Sequence, residues 1–350
     1  MSKKIQIAIV GTGGMAHAHA GSLQKMRGVE VTAVADVDAA RAQAFAAKFN
    51  VSRSYDNFTK LLAEAPVDAV INVTPDAFHA PLTLEAVAAG KHVLCEKPLA
   101  TNYADAKRMA VAAKKKGVVH MVNFSYRNSA AVQCAHTMVS RGDIGRPIHF
   151  EASYLQSWLT STIWGEWRTS PGWLWRLSTA HGSKGALGDI GVHILDMASF
   201  ALGSYASVSC RLRTFDKAKG GRVGKYKLDA NDSAVINAEM ENGALGVVHL
   251  SRWATGHSNS LQLRVYGEKG ALVVNLDKSY NHLDVCMGPD RNKAQWKTIA
   301  CPKTPNMHER FLKSIRTGKI EQPDFNQGAA IQRVMDACFE SDEAGRAVRP

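Results

Sequence analysis

Near the amino end, a short, largely apolar run, Ile5-Gln6-Ile7-Ala8-Ile9-Val10, stops directly on Gly11-Thr12-Gly13-Gly14-Met15-Ala16. A strand that ends on glycines and reopens as a helix has few places to go. Gly11 would make the tight turn, Gly13 would let backbone approach a ligand, and Ala16 would let the helix lie close to the strand. The opening helix turns its free N–H groups and positive dipole end outward, which suits a pyrophosphate. Glycine turns after strands are common, so context decides. Here a second buried strand, Val31–Ala35, ends on Asp36, about 20 residues past the glycines, where an acid takes the hydroxyls of an adenosine ribose. The spacing therefore predicts a dinucleotide held by Gly11, Thr12, Gly13, Gly14, Met15, Ala16 and Asp36. A carboxylate at 36 repels a 2′-phosphate, and Val37 rather than an arginine follows it, so the expected cofactor is NAD rather than NADP.

The pattern continues beyond the motif. Apolar runs at Ile5–Val10, Val29–Asp36, Ala69–Val73, His92–Cys95 and Val118–Asn123 alternate with helical periodicity at Met15–Met26, Ala39–Phe49, Phe58–Glu64, Ala80–Ala89 and Ala104–Lys116. Such alternation builds βαβ units on a parallel sheet. After about residue 124 the pattern changes. Helices are expected at Ala130–Arg141, Asp189–Leu202, Met307–Thr317 and Gly328–Ala344, and a Trp-rich loop at Trp158–Trp175. Alternating strands are expected at Val208–Thr214, Ser233–Met240, Ala244–Trp253, Leu261–Tyr266 and Ala271–Leu276. The expectation is an α/β protein with an N-terminal Rossmann domain over residues 1–124, followed by an α+β domain over residues 125–350 with a largely antiparallel sheet.

Composition narrows the class. A chain of 350 residues exceeds what one hydrophobic core usually supports. No apolar run is long enough to span a bilayer, and the Met1-Ser2-Lys3-Lys4 start leads into a run too short for a signal sequence, which predicts a cytoplasmic protein. The six cysteines are scattered, without C-x-x-C pairs, so neither a disulfide frame nor a zinc site is expected, and no metal. The net charge of +12, with clusters at Lys114–Lys116 and Arg211–Lys227, accompanies no nucleic-acid motif and reads as solvated surface.

Two segments carry chemistry. Cys95-Glu96-Lys97-Pro98 follows a predicted parallel strand at its carboxyl end, where ligands of open α/β sheets bind. A lysine there is badly placed for a core and well placed over a nicotinamide. The second segment is Gly185-Ala186-Leu187-Gly188-Asp189-Ile190-Gly191-Val192-His193-Ile194-Leu195-Asp196. On a helix, Asp189 and His193 share a face. Gly191 costs about 1 kcal/mol against alanine in a helix, which suggests close packing there.

With these segments the sequence resembles the Gfo/Idh/MocA oxidoreductases. The matching pieces are Gly11–Ala16, Thr74-Pro75-Asp76-Ala77-Phe78-His79, Ala89-Gly90-Lys91-His92-Val93 leading into Glu96-Lys97-Pro98, Arg141-Gly142-Asp143-Ile144-Gly145, and Asp189-Ile190-Gly191-Val192-His193. Weaker echoes are Trp175-Arg176 and Asp336-Ala337 with Glu340-Ser341. The resemblance implies an open second sheet whose outer face makes homodimers or homotetramers. It also implies Lys97, Asp189 and His193 as catalytic trio, and Thr74, Pro75, His79, Glu96 and Lys97 along the cofactor. One departure is that Ser183-Lys184 stand where the family has consecutive glycines, and Lys184 could reach the site edge.

The expected reaction is NAD-dependent oxidation of a secondary hydroxyl on a sugar, cyclitol or related polyol. His193 would take the hydroxyl proton, Lys97 would hold the same oxygen, and Asp189 would orient the imidazole or bind a neighbouring hydroxyl. Substrate contacts are expected from Lys97, Asn123, Tyr126, Arg127, Trp175, Arg176, Asp189 and His193, with Trp164 and Trp167 as further aromatic candidates; these tryptophans read equally as packing. The partner expected is a small polyol, neither nucleic acid nor membrane. Two alternatives share the motifs: a glycoside-cleaving enzyme that oxidises its substrate transiently, and a non-catalytic NAD-binding sensor.

Overall fold

A computed structural model describes residues 4–350; the Met1-Ser2-Lys3 start, read above for targeting, lies outside the described residues. The chain divides into two compact units. The first takes in the chain up to Phe124 and the later segment Pro305–Gln332; the second takes in Ser125–Thr304 and Arg333–Pro350.

The first unit begins with β1 (Ile5–Val10), α1 (Gly14–Leu23), β2 (Val29–Ala35), α2 (Ala39–Phe49), β3 (Arg53–Tyr55), α3 (Phe58–Glu64), β4 (Ala69–Asn72), α4 (His79–Ala88), β5 (His92–Cys95), α5 (Tyr103–Lys116) and β6 (His120–Val122). All strands pair in parallel, in the order β3-β2-β1-β4-β5-β6. This is the doubly wound arrangement, in which ligands meet the carboxyl ends of the strands. Ile7, Ile9, Ile71 and Leu94 are fully buried in its core, which fits the continuous apolar runs of a sheet covered on both faces. Short polar residues start the helices: the Asp38 side chain accepts from Arg41 N–H, Asn57 from Lys60 N–H, and Asn102 from Asp105 N–H. The three-residue edge strand β3 carries no apolar alternation, so the sequence did not announce it.

The second unit holds α6 (Ala130–Ser140), β7 (Pro147–Leu155), the short α7 (Pro171–Leu174), α8 (Val192–Leu202), β8 (Tyr205–Arg213), a hairpin of β9 (Arg222–Val223) and β10 (Tyr226–Lys227), then β11 (Ser233–Met240), β12 (Leu245–Ser251), β13 (Ser260–Gly267), β14 (Gly270–Asn275), β15 (His282–Met287) and β16 (Lys297–Ala300). Its eight-stranded sheet runs β16-β15-β14-β13-β7-β12-β11-β8. It is mixed rather than purely antiparallel, because β7 pairs parallel with β12. This central strand was not expected from sequence: it opens on Pro147, and its buried Phe150, Ala152 and Tyr154 alternate with only half-buried neighbours. Helix α8 packs on β7 and β13, and α6 on β14 and β15.

The chain ends with α9 (Met307–Thr317) and α10 (Phe325–Ala344). Met307, Phe311 and Leu312 are buried in the Rossmann core beside Ile5 and Leu23. The expected two-way division at 124 therefore needs correcting: Pro305–Gln332 returns to the first unit, and Arg333–Pro350 goes back to the second. The physical cause is the apolar stripe of α9, whose destination no local pattern reveals. No helix among the described residues is long and apolar enough to cross a membrane.

Candidate active site

In the first unit, the turn after β1 is fixed by backbone crowding. Gly11 has φ +85°, and a Cβ there would stand 2.7 Å from the Val73 carbonyl oxygen, in the turn after β4. Helix α1 then starts at Gly14, with Gly13 at the N-cap offering no side-chain cap, and a Cβ on Gly13 or Gly14 would meet nothing within 4 Å. The glycines at the start of α1 thus leave open space in front of an uncapped helix end, as a pyrophosphate cradle requires. Ala16 is fully buried.

Asp36, just past β2, is the acid of this turn. Its Oδ2 accepts from the Thr12 N–H at 2.8 Å and the Thr12 hydroxyl at 2.9 Å, and its Oδ1 from the Asp38 N–H at 3.0 Å. Arg41, in the first turn of α2, adds a two-point contact. Burial alone would raise the Asp36 pKa, but the hydrogen bonds from Arg41, Thr12 and Asp38 outweigh it and hold it at about 2.

The next two strand ends are tied together. Asn72, the last residue of β4, accepts from the Thr74 hydroxyl at 2.7 Å and donates to the His79 carbonyl at 3.2 Å. His79 is buried with both ring nitrogens facing carbonyl oxygens, Nδ1 at 2.6 Å from Pro98 and Nε2 at 2.8 Å from Thr74. A ring that satisfies both carries both protons. Burial would lower its pKa; the neighbouring Cys95 sulfur, Asp76 and the Pro98 carbonyl prevail and raise it to about 10. His79 thus bolts the Thr74-Pro75 turn to the Lys97-Pro98 turn.

Glu96 follows β5 and is 7% exposed. Its Oε1 accepts from His19 Nε2 at 2.8 Å and Asn123 Nδ2 at 2.6 Å, and its Oε2 from the Lys97 N–H at 3.1 Å. Burial would raise its pKa, yet His19, Asn123 and Lys97 bring it down to about 2. His19 in turn meets His308 at 2.9 Å, and His308 meets the Ser22 hydroxyl at 3.2 Å. This chain runs Ser22, His308, His19, Glu96, and His308 arrives on the returning segment. Sequence reasoning missed both histidines; His19 lies three residues past Ala16, on the helix the motif had already defined. Lys97 itself is half-buried.

In the second unit, the segment expected as plain helix begins instead as a π-turn, Leu187–Gly191, that runs into α8. Wide turns of this kind are frequent at functional sites. Asn231 anchors the start: its Oδ1 accepts from Leu187 N–H at 3.0 Å and its Nδ2 donates to the Lys184 carbonyl at 3.1 Å. Gly191 sits against the sheet, where a Cβ would come within 3.0 Å of Leu250 Cδ2, so the expectation of close packing is met. His193 is 7% exposed, with the Tyr126 ring edge-on at 4.8 Å and the Tyr154 ring at 6.3 Å. The two tyrosines and Asn259 close a hydrogen-bonded triangle: hydroxyl to hydroxyl at 2.7 Å, Tyr154 to Asn259 Oδ1 at 2.5 Å, and Asn259 Nδ2 to Tyr126 at 2.8 Å. Burial pushes the Tyr154 phenol well above its usual range, so it stays neutral.

Asp189 is engaged by a residue that sequence reasoning did not single out. Arg252, fully buried just past β12, donates Nη2 to Asp189 Oδ2 at 2.9 Å, and Arg176 Nε stands 3.7 Å from the same oxygen. The Arg176 guanidinium also lies over Trp175 at 4.6 Å and Trp173 at 5.3 Å. Other expected contacts take different roles. Arg127, only 3% exposed, forks onto Asp196 at 2.8 and 2.6 Å and covers Phe200, so it holds the fold instead of offering donors to a substrate. Trp167 is 2% exposed in an apolar cluster with Trp158, Leu174 and Leu177, and Trp164 packs against that cluster. Lys184 lies over Phe339 of α10 at 5.6 Å. Asn123 belongs to the first unit, on Glu96.

An uncapped helix on a glycine turn, an acid closing the next strand and a doubly wound sheet define the first unit as a nicotinamide-dinucleotide-binding Rossmann domain of an oxidoreductase. Comparison with known proteins agrees. Residues 5–124 match the profile described as "Oxidoreductase family, NAD-binding Rossmann fold", and residues 132–273 match "GFO/IDH/MocA C-terminal domain". The chain is 29% identical to levoglucosan dehydrogenase of Pseudarthrobacter phenanthrenivorans over 345 residues, covering 88% of this chain and 86% of that one. It is 30% identical to 1,5-anhydro-D-fructose reductase of Ensifer adhaerens over 249 residues, covering 70% and 68%. Among solved structures, levoglucosan dehydrogenase in complex with NADH and L-sorbose superposes with a TM-score of 0.89 at 27% identity, covering 99% of both chains. The chain belongs to the Gfo/Idh/MocA oxidoreductase family.

Proposed function

We propose that this protein oxidises a secondary hydroxyl of a sugar, cyclitol or related polyol, with Lys97, Asp189 and His193 as the groups that meet the substrate. The observation that carries the reading is the π-turn into α8. It sets His193 in a nearly closed tyrosine frame and Asp189, one turn earlier, on an arginine. The sugar-directed names of the similar dehydrogenase and reductase support the substrate class.

The nicotinamide, when bound, accepts the hydride; the protein handles the proton and the orientation. Dinucleotide contacts are assigned to Gly11–Ala16, Asp36, Thr74, Pro75, Glu96 and Lys97; His79, buried with both ring nitrogens spent on the Pro98 and Thr74 carbonyls, fixes these turns from behind. His193 takes the hydroxyl proton as the general base. The Lys97 ammonium donates to the same oxygen and favours its developing negative charge. Asp189 accepts from a neighbouring hydroxyl. Tyr126, Trp175 and Arg176 add an aromatic face and donors, and Asn123 is a further candidate contact. Arg127 is left out.

The outer face of the second sheet supports assembly as a homodimer or homotetramer: Val235 and Leu245 are 53% and 59% exposed there. Sedimentation of the purified protein tests this, and a monomer at working concentration would refute it. A cytoplasmic location is likewise part of the proposal; it rests on six cysteines, all unpaired.

The functional test is a panel of polyols, sugars, sugar acids and simple alcohols with NAD, followed by NADH absorbance. Turnover of polyhydroxylated rings is expected. Turnover confined to apolar alcohols, or none, overturns the reading.

A further inference from the structure

Arg252 has no counterpart in the motifs of this chain, yet it is the most fully buried charge beside Asp189. Nothing of it is exposed. Its Nη2 serves Asp189 Oδ2 at 2.9 Å and the Gly185 carbonyl at 3.3 Å, while Nη1 serves the Arg176 carbonyl at 3.1 Å. Its guanidinium plane is backed by Trp158 at 5.0 Å. One planar fork thus grips three places: the loop that carries Arg176, the glycine two residues before the π-turn, and the carboxylate upon that turn. A lysine ammonium could not span them, because it is a point donor and not a fork.

A charge buried this completely is costly unless it is paired. The Arg176 and Gly185 carbonyls take one donor each from Nη1 and Nη2 but cannot neutralise the charge. The Asp189 carboxylate does, and its side chain remains 28% exposed, open enough for a hydroxyl to approach. We propose that Arg252 is a positioning residue for the reaction, holding the Asp189 carboxylate in place and in its charged form as the acceptor for a substrate hydroxyl. This rests on the reading that Asp189 and His193 meet the substrate.

Every charged or titratable group near Asp189 bears on the test. Arg252 faces it from the end of β12 and is itself acted on by the buried Asp232 as well as by Asp189; Arg176 faces it from the turn after α7, Tyr154 from β7, and His193 follows it on its own element. Tyr154 stays neutral and Arg176 is the more distant cation, so Arg252 dominates. An arginine within contact lowers a carboxyl pKa by about 1–3 units, and its removal releases that shift.

The experiment compares Arg252→Gln, Arg252→Lys and Asp189→Asn, each alone and with the arginine changes combined with Asp189→Asn. The readouts are the polyol KM, kcat, the pH profile of kcat/KM and the NAD dissociation constant by direct titration. In Arg252→Gln, the lower of the two acid-side breaks in kcat/KM, below the one set by the His193 base, should move up by about one pH unit or more. The polyol KM should rise about tenfold while NAD affinity holds. Arg252→Lys should recover part of the pH shift but little of the KM. In the Asp189→Asn background the arginine changes should add little. A folded Arg252→Gln with an unchanged pH profile overturns the proposal, as do effects that simply multiply with Asp189→Asn. Should Arg252→Gln not fold, Arg252→Lys carries the test, and a wild-type KM there overturns it. Failure of both to fold makes Arg252 a folding residue and overturns it too. If Asp189→Asn itself leaves turnover untouched, the proposed function falls; if only the arginine changes are silent, this inference alone falls.

Discussion

Arg41 and Asp36 form a two-point ion pair, Nη2 to Oδ1 at 2.5 Å and Nε to Oδ2 at 3.1 Å. Together with Thr12 and Asp38, this places donors around both oxygens of the acid assigned to the ribose hydroxyls. Arg41 is half-exposed, whereas Thr12 is buried, so Arg41 is the partner that can yield to a ribose. Its displaced charge would also soften the repulsion that Asp36 exerts on a 2′-phosphate. Arg41→Ala should therefore increase the preference for NAD over NADP. Asp36→Ala should weaken NAD and erase the preference. Titration of both variants with both dinucleotides checks this; equal preference in all forms refutes the role of the pair.

Acid and alkali should weaken the first unit for different reasons. Glu96 binds its proton less tightly folded, at about 2, than unfolded, so its contribution is complete above about 4.5 and lost as pH falls toward 2. His308, lowered to about 4 chiefly by burial, acts in the same sense between about 6.5 and 4. His79 is opposite: its folded value is about 10, so the stability it adds is complete below about 6.5 and lost as pH rises through 10. Thermal unfolding across pH 4–10 should show wild type losing stability at the alkaline end, and His79→Gln losing less of it there. An identical alkaline limb in the variant contradicts the doubly protonated ring.

Gly11→Ala should damage both fold and binding. It forces a side chain onto a left-handed residue and into the Val73 carbonyl, where strain costs on the order of 1–3 kcal/mol. A lower melting temperature together with weaker NAD binding is expected, read by calorimetry and titration. Wild-type values in both would show that the turn tolerates what its geometry forbids.

His193→Ala and Lys97→Ala should each reduce kcat by about 10²-fold or more, the scale of a lost general base or oxyanion donor. Their folding should be unchanged by circular dichroism. Near-normal turnover in both would remove the proposed proton chemistry.

Much of this was legible in the sequence because the relevant signals are local. Continuous apolar runs give the buried parallel strands, glycines mark the β1–α1 turn, and Asp36 stands where a second strand must end. What was not legible depends on partners remote in sequence. Arg252 lies 63 residues from Asp189, and His308 lies 289 from His19; nothing nearby distinguishes either from a surface side chain. Arg127 and Trp167 read as ligand contacts by residue type, and only the packing shows their donors and faces spent on Asp196 and on an apolar cluster. The returning helix α9 hides its destination in the same way, since an apolar stripe says that something is covered but not what.

The most direct measurement uses a polyol carrying deuterium at its secondary alcohol carbons, incubated with the protein and NAD. The account predicts one deuterium on each NADH formed, a ketone in equal amount, and loss of both in His193→Ala. NADH without deuterium, or cleavage of a glycoside with no net NADH, would contradict it.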